Sequence, residues 1–293
     1  MPHNYSQLLN FAASASVITA VFLIILKLDA WTATNSVSML SSLIDSLMDV
    51  SASLINLFAI RFALKPADTN HSFGHGKAES LAGLGQAMFI IASAVFLTTR
   101  AFDSLRNPEP IAEFGWGISV MIISMAATVI LLLIQRYAIK KTNSTALRAD
   151  SLHYLTDLAA NAATLAAIAL AYYGFKNADP LFALAIAAYI TYGAIKIALE
   201  AIDLLMDHEL PVQEREAIEQ IATATPDVIG IHDLRTWQTG NKKVIQMHIE
   251  LDDRISLLQA HDITSAVEKR ILTLEPLADI IVHQDPVNIH TRI

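Results

Sequence analysis

Carboxylate and imidazole side chains recur at helical spacing within two long apolar stretches of the chain. The first stretch carries Asp45 and Asp49, and the second carries Asp150, His153 and Asp157, at intervals of three and four residues. Residues separated by three or four positions lie on the same face of a helix. Each stretch is therefore predicted to be an apolar helix with one polar, ionisable face.

Such carboxylates need a counter-charge if the two helices lie in a membrane. An ionised side chain at the centre of a bilayer costs roughly 2.5–3.5 kcal/mol on insertion scales, and neither stretch has a Lys or Arg nearby to neutralise the charge. A divalent cation does so, and the set Asp45, Asp49, His153 and Asp157 offers the four ligands that tetrahedral Zn²⁺ prefers. Hydrogen bonding between helices is the alternative, but the paired arrangement on two helices favours the metal site.

The same ligands predict coupling between metal and protons. A metal ion must displace protons from carboxylates and imidazole, so its affinity rises with pH. The hypothesis that follows is exchange of metal ions for protons.

A second group of candidate ligands lies between the two stretches. Asp68, His71 and His75 fall within eight residues, and Gly74 and Gly76 permit a tight loop around them. These residues can close on one metal ion, and a solvated polar loop is the alternative.

A third group lies near the end of the chain. His232 and His248 fall on or beside two predicted strands, His283 and Asp285 share one side of a third strand, and His261 is near the start of a helix. Single histidines are usually surface or structural residues, but the convergence of four favours a metal site.

The elements that carry these residues are predominantly apolar. Of the 293 residues, 54% are hydrophobic and only 16% are charged, which indicates a polytopic α-helical membrane protein. Six stretches are long enough to span a bilayer, and we predict six transmembrane helices: Leu8 to Leu28, Val37 to Leu64, Ser80 to Leu105, Phe114 to Ile139, Thr145 to Phe175 and Ala178 to Met206.

The distribution of basic residues predicts the orientation. The connections between spans two and three and between spans four and five carry seven of them: Arg61, Lys65, Lys77, Arg136, Lys140, Lys141 and Arg148. The other three connections carry four: Lys27, Arg100, Arg106 and Lys176. Because basic loops remain in the cytoplasm, both termini are predicted to be cytoplasmic.

The last part of the chain reads as a separate domain, with boundaries predicted at 1–208 and 209–293. Residues 209–293 contain 14 acidic residues and 8 Lys and Arg, which argues against nucleic acid as a partner. A helix, a two-stranded hairpin turning at residues 239–241, a second helix and a last strand predict an α+β domain with an antiparallel or mixed sheet and helices on one face. The chain has no cysteine, so any metal site must use His and carboxylate.

Several of these motifs resemble those of the cation diffusion facilitator family, and the resemblance runs through nearly the whole chain. The motifs are Ser-Leu-Ile-Asp45-Ser-Leu-Met-Asp49, Asn-His71-Ser-Phe-Gly-His75-Gly-Lys-Ala-Glu, Asp150-Ser-Leu-His153-Tyr-Leu-Thr-Asp157 and His283-Gln-Asp285-Pro. The family fold implied is six transmembrane helices followed by a cytoplasmic ferredoxin-like, metallochaperone-like α+β domain.

The resemblance also implies roles for the candidate residues. It implies a transport site of Asp45, Asp49, His153 and Asp157, and a loop site of Asp68, His71 and His75. The cytoplasmic domain is expected to hold two metal ions, one bound by His232, His248 and Asp285. The other is bound by His261, His283 and the shared Asp285, with the Gln284 carbonyl as a further ligand. A charged contact between Lys77 and Asp207 is expected to link the spans and the domain near the membrane surface.

The implied protein is a bacterial inner-membrane exporter that exchanges cytoplasmic Zn²⁺ for protons. Its expected partners are lipid, metal ions, protons and a second copy bound through the cytoplasmic domain, with Zn²⁺ as both substrate and structural ligand and no organic cofactor. Strictly zinc-selective relatives carry His where this chain has Asp45, which favours acceptance of Cd²⁺ and Fe²⁺ as well.

Three other functions fit parts of the pattern. An intramembrane zinc hydrolase would need an open coordination position for water, whereas this ligand set fills all four, and no His-Glu-x-x-His helix is present. An exporter of organic cations would call for an aromatic-lined site. A sensor that binds metal only in its last domain would show no flux.

Overall fold

A computed structural model describes residues 2–34, 37–106, 115–172 and 178–288. The predicted span ends at Phe114 and Phe175 lie outside these residues. The chain divides into two compact units. The helical unit comprises Met1–Pro66 and Ala78–Ile202, and the α+β unit comprises Ala67–Lys77 and Asp203–Ile293.

Six long helices account for most of the helical unit. Their bounds are α1 Pro2–Thr34, α2 Val37–Ala63, α3 Lys77–Arg106, α4 Gly115–Thr142, α5 Thr145–Tyr172 and α6 Ala178–Leu205. Five of them, α1 to α4 and α6, contain segments long and apolar enough to cross a membrane. The described part of α5, which carries Arg148, Asp150 and Asp157, is not among the five.

Small and branched apolar side chains hold these helices together. One buried cluster joins α1, α2, α4 and α5 through Leu9, Leu57, Ile60, Ala138 and Leu147, among others. A second buried cluster joins α3, α5 and α6, and alanine dominates it because small side chains let helices approach closely. Large apolar side chains elsewhere point outward, as expected for surfaces in contact with lipid.

The α+β unit is built around a three-stranded sheet. The strands are β1 Gly230–Thr239, β2 Lys242–Asp252 and β3 Asp279–Val287, in the order β1-β2-β3. β1 pairs with β2 in antiparallel orientation and β2 pairs with β3 in parallel orientation, so the sheet is mixed. The hairpin turn is Gly240–Asn241, and Gly240 has a φ of +60°, a conformation that glycine adopts without strain.

Two helices cover one face of the sheet. α7 spans Val212–Thr223 and α8 spans Leu257–Leu274, and both pack against Ile245, Met247 and Ile249 of β2, which are fully buried. Side chains alternate along a strand, so His248 faces the opposite side. The histidines therefore lie on the face that the helices leave free.

Candidate functional site

The ionisable faces of α2 and α5 meet inside the helical unit. His153 Nε2 lies 3.0 Å from Asp49 Oδ1 and 3.8 Å from Asp157 Oδ2. Ligand atoms of the three residues all lie within 4.8 Å of one another. Two oxygens and one nitrogen at this spacing provide three of the four ligands of a tetrahedral site for a divalent metal ion.

Asp45 lies at the edge of this group. It occupies α2 one helical turn before Asp49 and is exposed, whereas the other three residues are partly buried. Among the described residues, the cluster of potential ligands includes Asp49, His153 and Asp157 but not Asp45. The structure thus brings together three of the four predicted ligands and leaves Asp45 outside the group.

A lysine from a third helix supplies positive charge near the site. Lys27 Nζ on α1 donates hydrogen bonds to Ser46 Oγ at 2.7 Å and to the backbone carbonyl oxygen of Ser42 at 3.2 Å. Its charge also interacts with the carboxylates of the site. The expectation that no basic residue is nearby concerned only spans two and five, and Lys27 comes near the site from a different helix because α1 packs along α2.

The residues around His153 fix α5 in place. Asp150 is fully buried and accepts hydrogen bonds from Ser16 and Gln135 at 2.6 and 2.8 Å, and from Gln86 at 3.2 Å. The hydroxyl of Tyr154, also buried, lies 2.8 Å from Ser53 Oγ on α2. These contacts hold the helix on both sides of His153.

The loop before α3 brings its three candidate ligands together. Asp68 lies 3.2 Å from His71 Nδ1 through one carboxylate oxygen and 3.3 Å from His75 Nε2 through the other. Gly74 has a φ of +84°, so the tight turn predicted for this glycine is present. The three residues form a compact group of potential metal ligands in which His75 is buried.

Backbone groups prepare Asp68 for this role. The backbone N–H groups of His71 and Asn70 donate to Asp68 Oδ1 at 2.8 and 2.9 Å. These hydrogen bonds, that of His71 first, hold the pKa of Asp68 below its usual range. The loop thus fixes an ionised carboxylate between two imidazoles.

Three histidines of the α+β unit share one rung of the sheet. His232 of β1 is opposite His248 of β2, which is opposite His283 of β3. All three rings approach Asp285: the distances to its carboxylate are 3.1 Å for His232 Nε2, 2.8 Å for His248 Nδ1 and 3.4 Å for His283 Nε2. Ligand atoms of His232, His248 and Asp285 all lie within 4.8 Å of one another, and this group of two imidazoles and one carboxylate suits Zn²⁺.

Two local features shape this cluster. The hydrogen bond from His248, followed by the nearby imidazoles, holds the pKa of Asp285 below its usual range. The β1–β2 pairing has a register irregularity between His232 and Arg235, and Asp233 there has a φ of +48°. No pattern in the sequence indicated this bulge or the approach of Asp233 Oδ2 to within 3.6 Å of His232 Nδ1. A β-bulge commonly redirects a side chain at a functional site.

The remaining two candidates of this unit lie elsewhere. His261 is exposed on α8, the helix that covers the opposite face of the sheet. The side-chain amide of Gln284 donates to Thr264 Oγ1 at 2.7 Å, so it too points toward α8. Within the described residues of one chain, His261 does not join the cluster around Asp285.

The predicted contact between Lys77 and Asp207 is present. Lys77 Nζ lies 2.9 Å from the Asp207 carboxylate and donates to the carbonyl oxygen of Leu205 at 3.3 Å. Lys77 begins α3, and Asp207 follows the end of α6 with a φ of +58°. The pair therefore joins the start of one long helix to the end of another.

Comparison with known families accounts for nearly the whole chain. Residues 13–206 match the family described as the cation efflux transmembrane domain, and residues 210–287 match the cytoplasmic domain of cation efflux proteins.

Individual relatives give the same result. The cation-efflux pump FieF of Yersinia enterocolitica is 49% identical over 286 residues, which cover 98% of this chain and 95% of the relative. FieF of Serratia proteamaculans is 47% identical over 289 residues, 99% of this chain and 96% of the relative. Among solved structures, the metal-bound C-terminal domain of the CzcD transporter from Thermotoga maritima is 27% identical, with a TM-score of 0.25, over 27% of this chain and 94% of that one.

Proposed function

The chain belongs to the cation efflux family, and from this premise we propose that it exports Zn²⁺ from the cytoplasm in exchange for protons. Family membership confirms the resemblance to the cation diffusion facilitators, and to the efflux pump FieF among them. It also makes the chain a membrane transporter rather than a catalytic enzyme. The zinc hydrolase is thereby set aside.

The observation that carries the proposal is the group formed by Asp49, His153 and Asp157 between α2 and α5. With Asp45 one turn away, the group offers three carboxylates and one imidazole. A divalent ion binds when these groups lose their protons and leaves when they regain them. If α2 and α5 expose the site alternately to each side of the membrane, this competition couples outward metal movement to inward proton movement.

The donor set supports Zn²⁺ as the main substrate, with Cd²⁺ and Fe²⁺ as further substrates. Imidazole and carboxylate ligands accept several divalent transition metals, and selectivity depends on geometry and ligand type. An oxygen ligand at position 45 favours the acceptance of several divalent metals. Asp45→His is accordingly expected to retain Zn²⁺ transport and to lose most Cd²⁺ transport.

We place the protein in the bacterial inner membrane with six spans and both termini in the cytoplasm. Five helices are long and apolar enough to span, and we propose α5 as the sixth span. α5 packs against α1, α2 and α4, which supports the placement of its polar face inside the helical unit. The excess of basic residues in the 2–3 and 4–5 connections supports the orientation.

We assign the α+β unit to metal binding and homodimer formation. His232, His248 and Asp285 are proposed as ligands of one metal ion, supported by the short distances between their ligand atoms, and His283 is proposed as a ligand of the second ion together with the shared Asp285. His261 lies on α8, on the opposite side of its own sheet. We therefore propose that it binds a metal ion held by the α+β unit of a second copy. For the remaining candidates we propose the roles that the family resemblance implies. The Gln284 carbonyl is a further metal ligand, the loop group around Asp68 is a metal site, and the Lys77–Asp207 pair links the spans and the cytoplasmic domain.

The test is metal flux in liposomes that contain a zinc-sensitive dye and a pH-sensitive dye. With an imposed proton gradient, Zn²⁺ flux and opposite proton movement are expected in the unmutated protein and absent in Asp157→Ala. Asp103→Ala is the matched control, because Asp103 is an exposed carboxylate near the end of α3. Its flux is expected to equal that of the unmutated protein.

The alternatives give different results. Equal flux in Asp157→Ala and Asp103→Ala would show that the transport site lies elsewhere. A protein that transports no metal, yet still binds metal in Asp49→Ala, would instead be a sensor.

A further inference from the structure

Lys27 is an ionisable side chain to which the exchange of metal for protons gives no role. It lies on α1 and is partly buried, and its ammonium group crosses to α2. There it donates to the hydroxyl of Ser46, which is fully buried, and to the backbone carbonyl of Ser42. Ser46 directly follows Asp45, so Lys27 is anchored on the segment that carries two of the site carboxylates.

The charge of Lys27 acts on the three carboxylates of the proposed transport site. Asp49, Asp157 and Asp45 each interact electrostatically with its ammonium group. A lysine within an apolar span is unfavourable unless a negative charge or polar group compensates it. Two oxygen acceptors fix its position, and the three carboxylates provide the compensating charge.

The charges of a loaded site then cancel. Three carboxylates around one divalent ion leave a single negative charge, and the ammonium group of Lys27 neutralises it. We propose that Lys27 is a tethered counter-ion that makes the metal-loaded site neutral and weakens its hold on the ion enough for release. The inference rests on the proposed transport site and adds a residue that determines its affinity.

A purely structural role for Lys27 predicts the opposite effect. If the lysine only clamps α1 to α2, its removal loosens the helix pair, and the site binds metal more weakly. If it is a counter-ion, its removal eliminates a repulsion between two cations, and the site binds metal more tightly. The direction of the change in affinity therefore separates the two roles.

The experiment compares Lys27→Met and Lys27→Arg in the full-length protein. Zn²⁺ binding is measured at pH 8 by calorimetry, and the transport site is identified as the binding component that Asp49→Ala removes. For that component we expect Lys27→Met to lower Kd by about tenfold, on the scale of a partly screened charge–charge interaction. The maximal flux in liposomes is expected to fall, because release slows.

Two controls accompany this measurement. Lys27→Arg keeps the charge and is expected to keep Kd within about twofold. Lys141→Met makes the same substitution at an exposed position in the last turn of α4, and no change in Kd is expected. The melting temperature of each variant shows whether the fold is intact.

The outcomes distinguish this inference from the proposed function. A folded Lys27→Met protein with an unchanged or higher Kd would overturn the counter-ion role and leave the transport site standing. If Asp49→Ala removed no binding component, the transport site itself would be wrong, and the role of Lys27 would fail with it.

Discussion

Asp150 shows how one buried residue can organise several helices without binding an ion. It lies on α5 and accepts hydrogen bonds from Ser16 of α1, Gln86 of α3 and Gln135 of α4. A buried polar group is tolerated when its hydrogen bonds are satisfied, and here one carboxylate satisfies three donors. Asp150 thus shares a helix face with His153 and Asp157, but its role is to hold the helix in place and not to bind an ion.

Asp150→Ala is expected to destabilise the protein by roughly 3 kcal/mol, because it leaves buried amide donors without an acceptor. Asp150→Asn keeps one acceptor oxygen and should be intermediate. Thermal melting of the purified protein measures both variants. Asp103→Ala is the control, and a melting temperature for Asp150→Ala equal to that of this control would contradict the structural role.

The charge of Lys243 makes the α+β unit less stable at alkaline pH, where the ammonium group loses its proton. Its ammonium group lies 2.8 Å from Glu214 and 2.7 Å from Glu275. Burial lowers the pKa of Lys243, but the hydrogen bonds to the two carboxylates outweigh this effect, and the net result is a raised pKa. A group whose pKa is raised by folding stabilises the folded state while it stays protonated.

The contribution of Lys243 is therefore fully present below its unfolded pKa of 10.5 and is lost as pH rises through the higher folded value. We expect the unit to lose about 1 kcal/mol of stability from this pair of contacts above that pH. The probe is the fluorescence of Trp237 in a chain whose other tryptophans are phenylalanine. In Lys243→Met the alkaline loss should shrink, and an unchanged loss would contradict the assignment.

The loop that carries Asp68, His71 and His75 packs against the β1–β2 hairpin. A Cβ atom added to Gly76 would lie 2.6 Å from the backbone nitrogen of Gly240 and 2.6 Å from the carbonyl carbon of Thr239. Phe73 of the loop also contacts Trp237 of β1 edge to face, with ring centroids 6.2 Å apart. The position of the loop site is thus fixed by the turn of the sheet.

Gly76→Ala is expected to destabilise the α+β unit by roughly 1–3 kcal/mol, since backbone atoms must move to admit the methyl group. The melting transition of Trp237 fluorescence measures this loss. Gly85→Ala is the matched control, because nothing lies within 4 Å of its added Cβ. A transition that shifts equally in the two variants would show that the close contact is unimportant.

Local patterns predicted the elements well. The order of helices and strands in residues 209–293, the hairpin and the buried face of β2 follow from side-chain alternation and turn residues. The parallel pairing of β3 with β2 could not be predicted, because strand order depends on contacts between distant segments. For the same reason the sequence did not reveal that Lys27 crosses to α2 or that His261 lies away from Asp285.

At the scale of the whole molecule, the absence of cysteine makes the orientation directly measurable. In the proposed topology, single cysteines at Lys141, in the 4–5 connection, and at Asp103, near the 3–4 connection, lie on opposite sides of the membrane. A membrane-impermeant maleimide applied to intact spheroplasts should label Asp103→Cys and leave Lys141→Cys unlabelled. The reverse pattern would invert the proposed topology, and labelling of both would contradict an odd number of crossings between them.

A metal ion bound by the proposed ligands His232 of β1, His248 of β2 and Asp285 of β3 would have a mechanical role in the sheet. An ion held there cross-links the central strand to both edge strands, so β1 and β3 are held by coordination bonds as well as by backbone hydrogen bonds. Removal of the ion leaves the edges free to fray, and their amide hydrogens exchange faster with solvent. The stability of strand pairing in this unit would then increase with the concentration of free zinc around it.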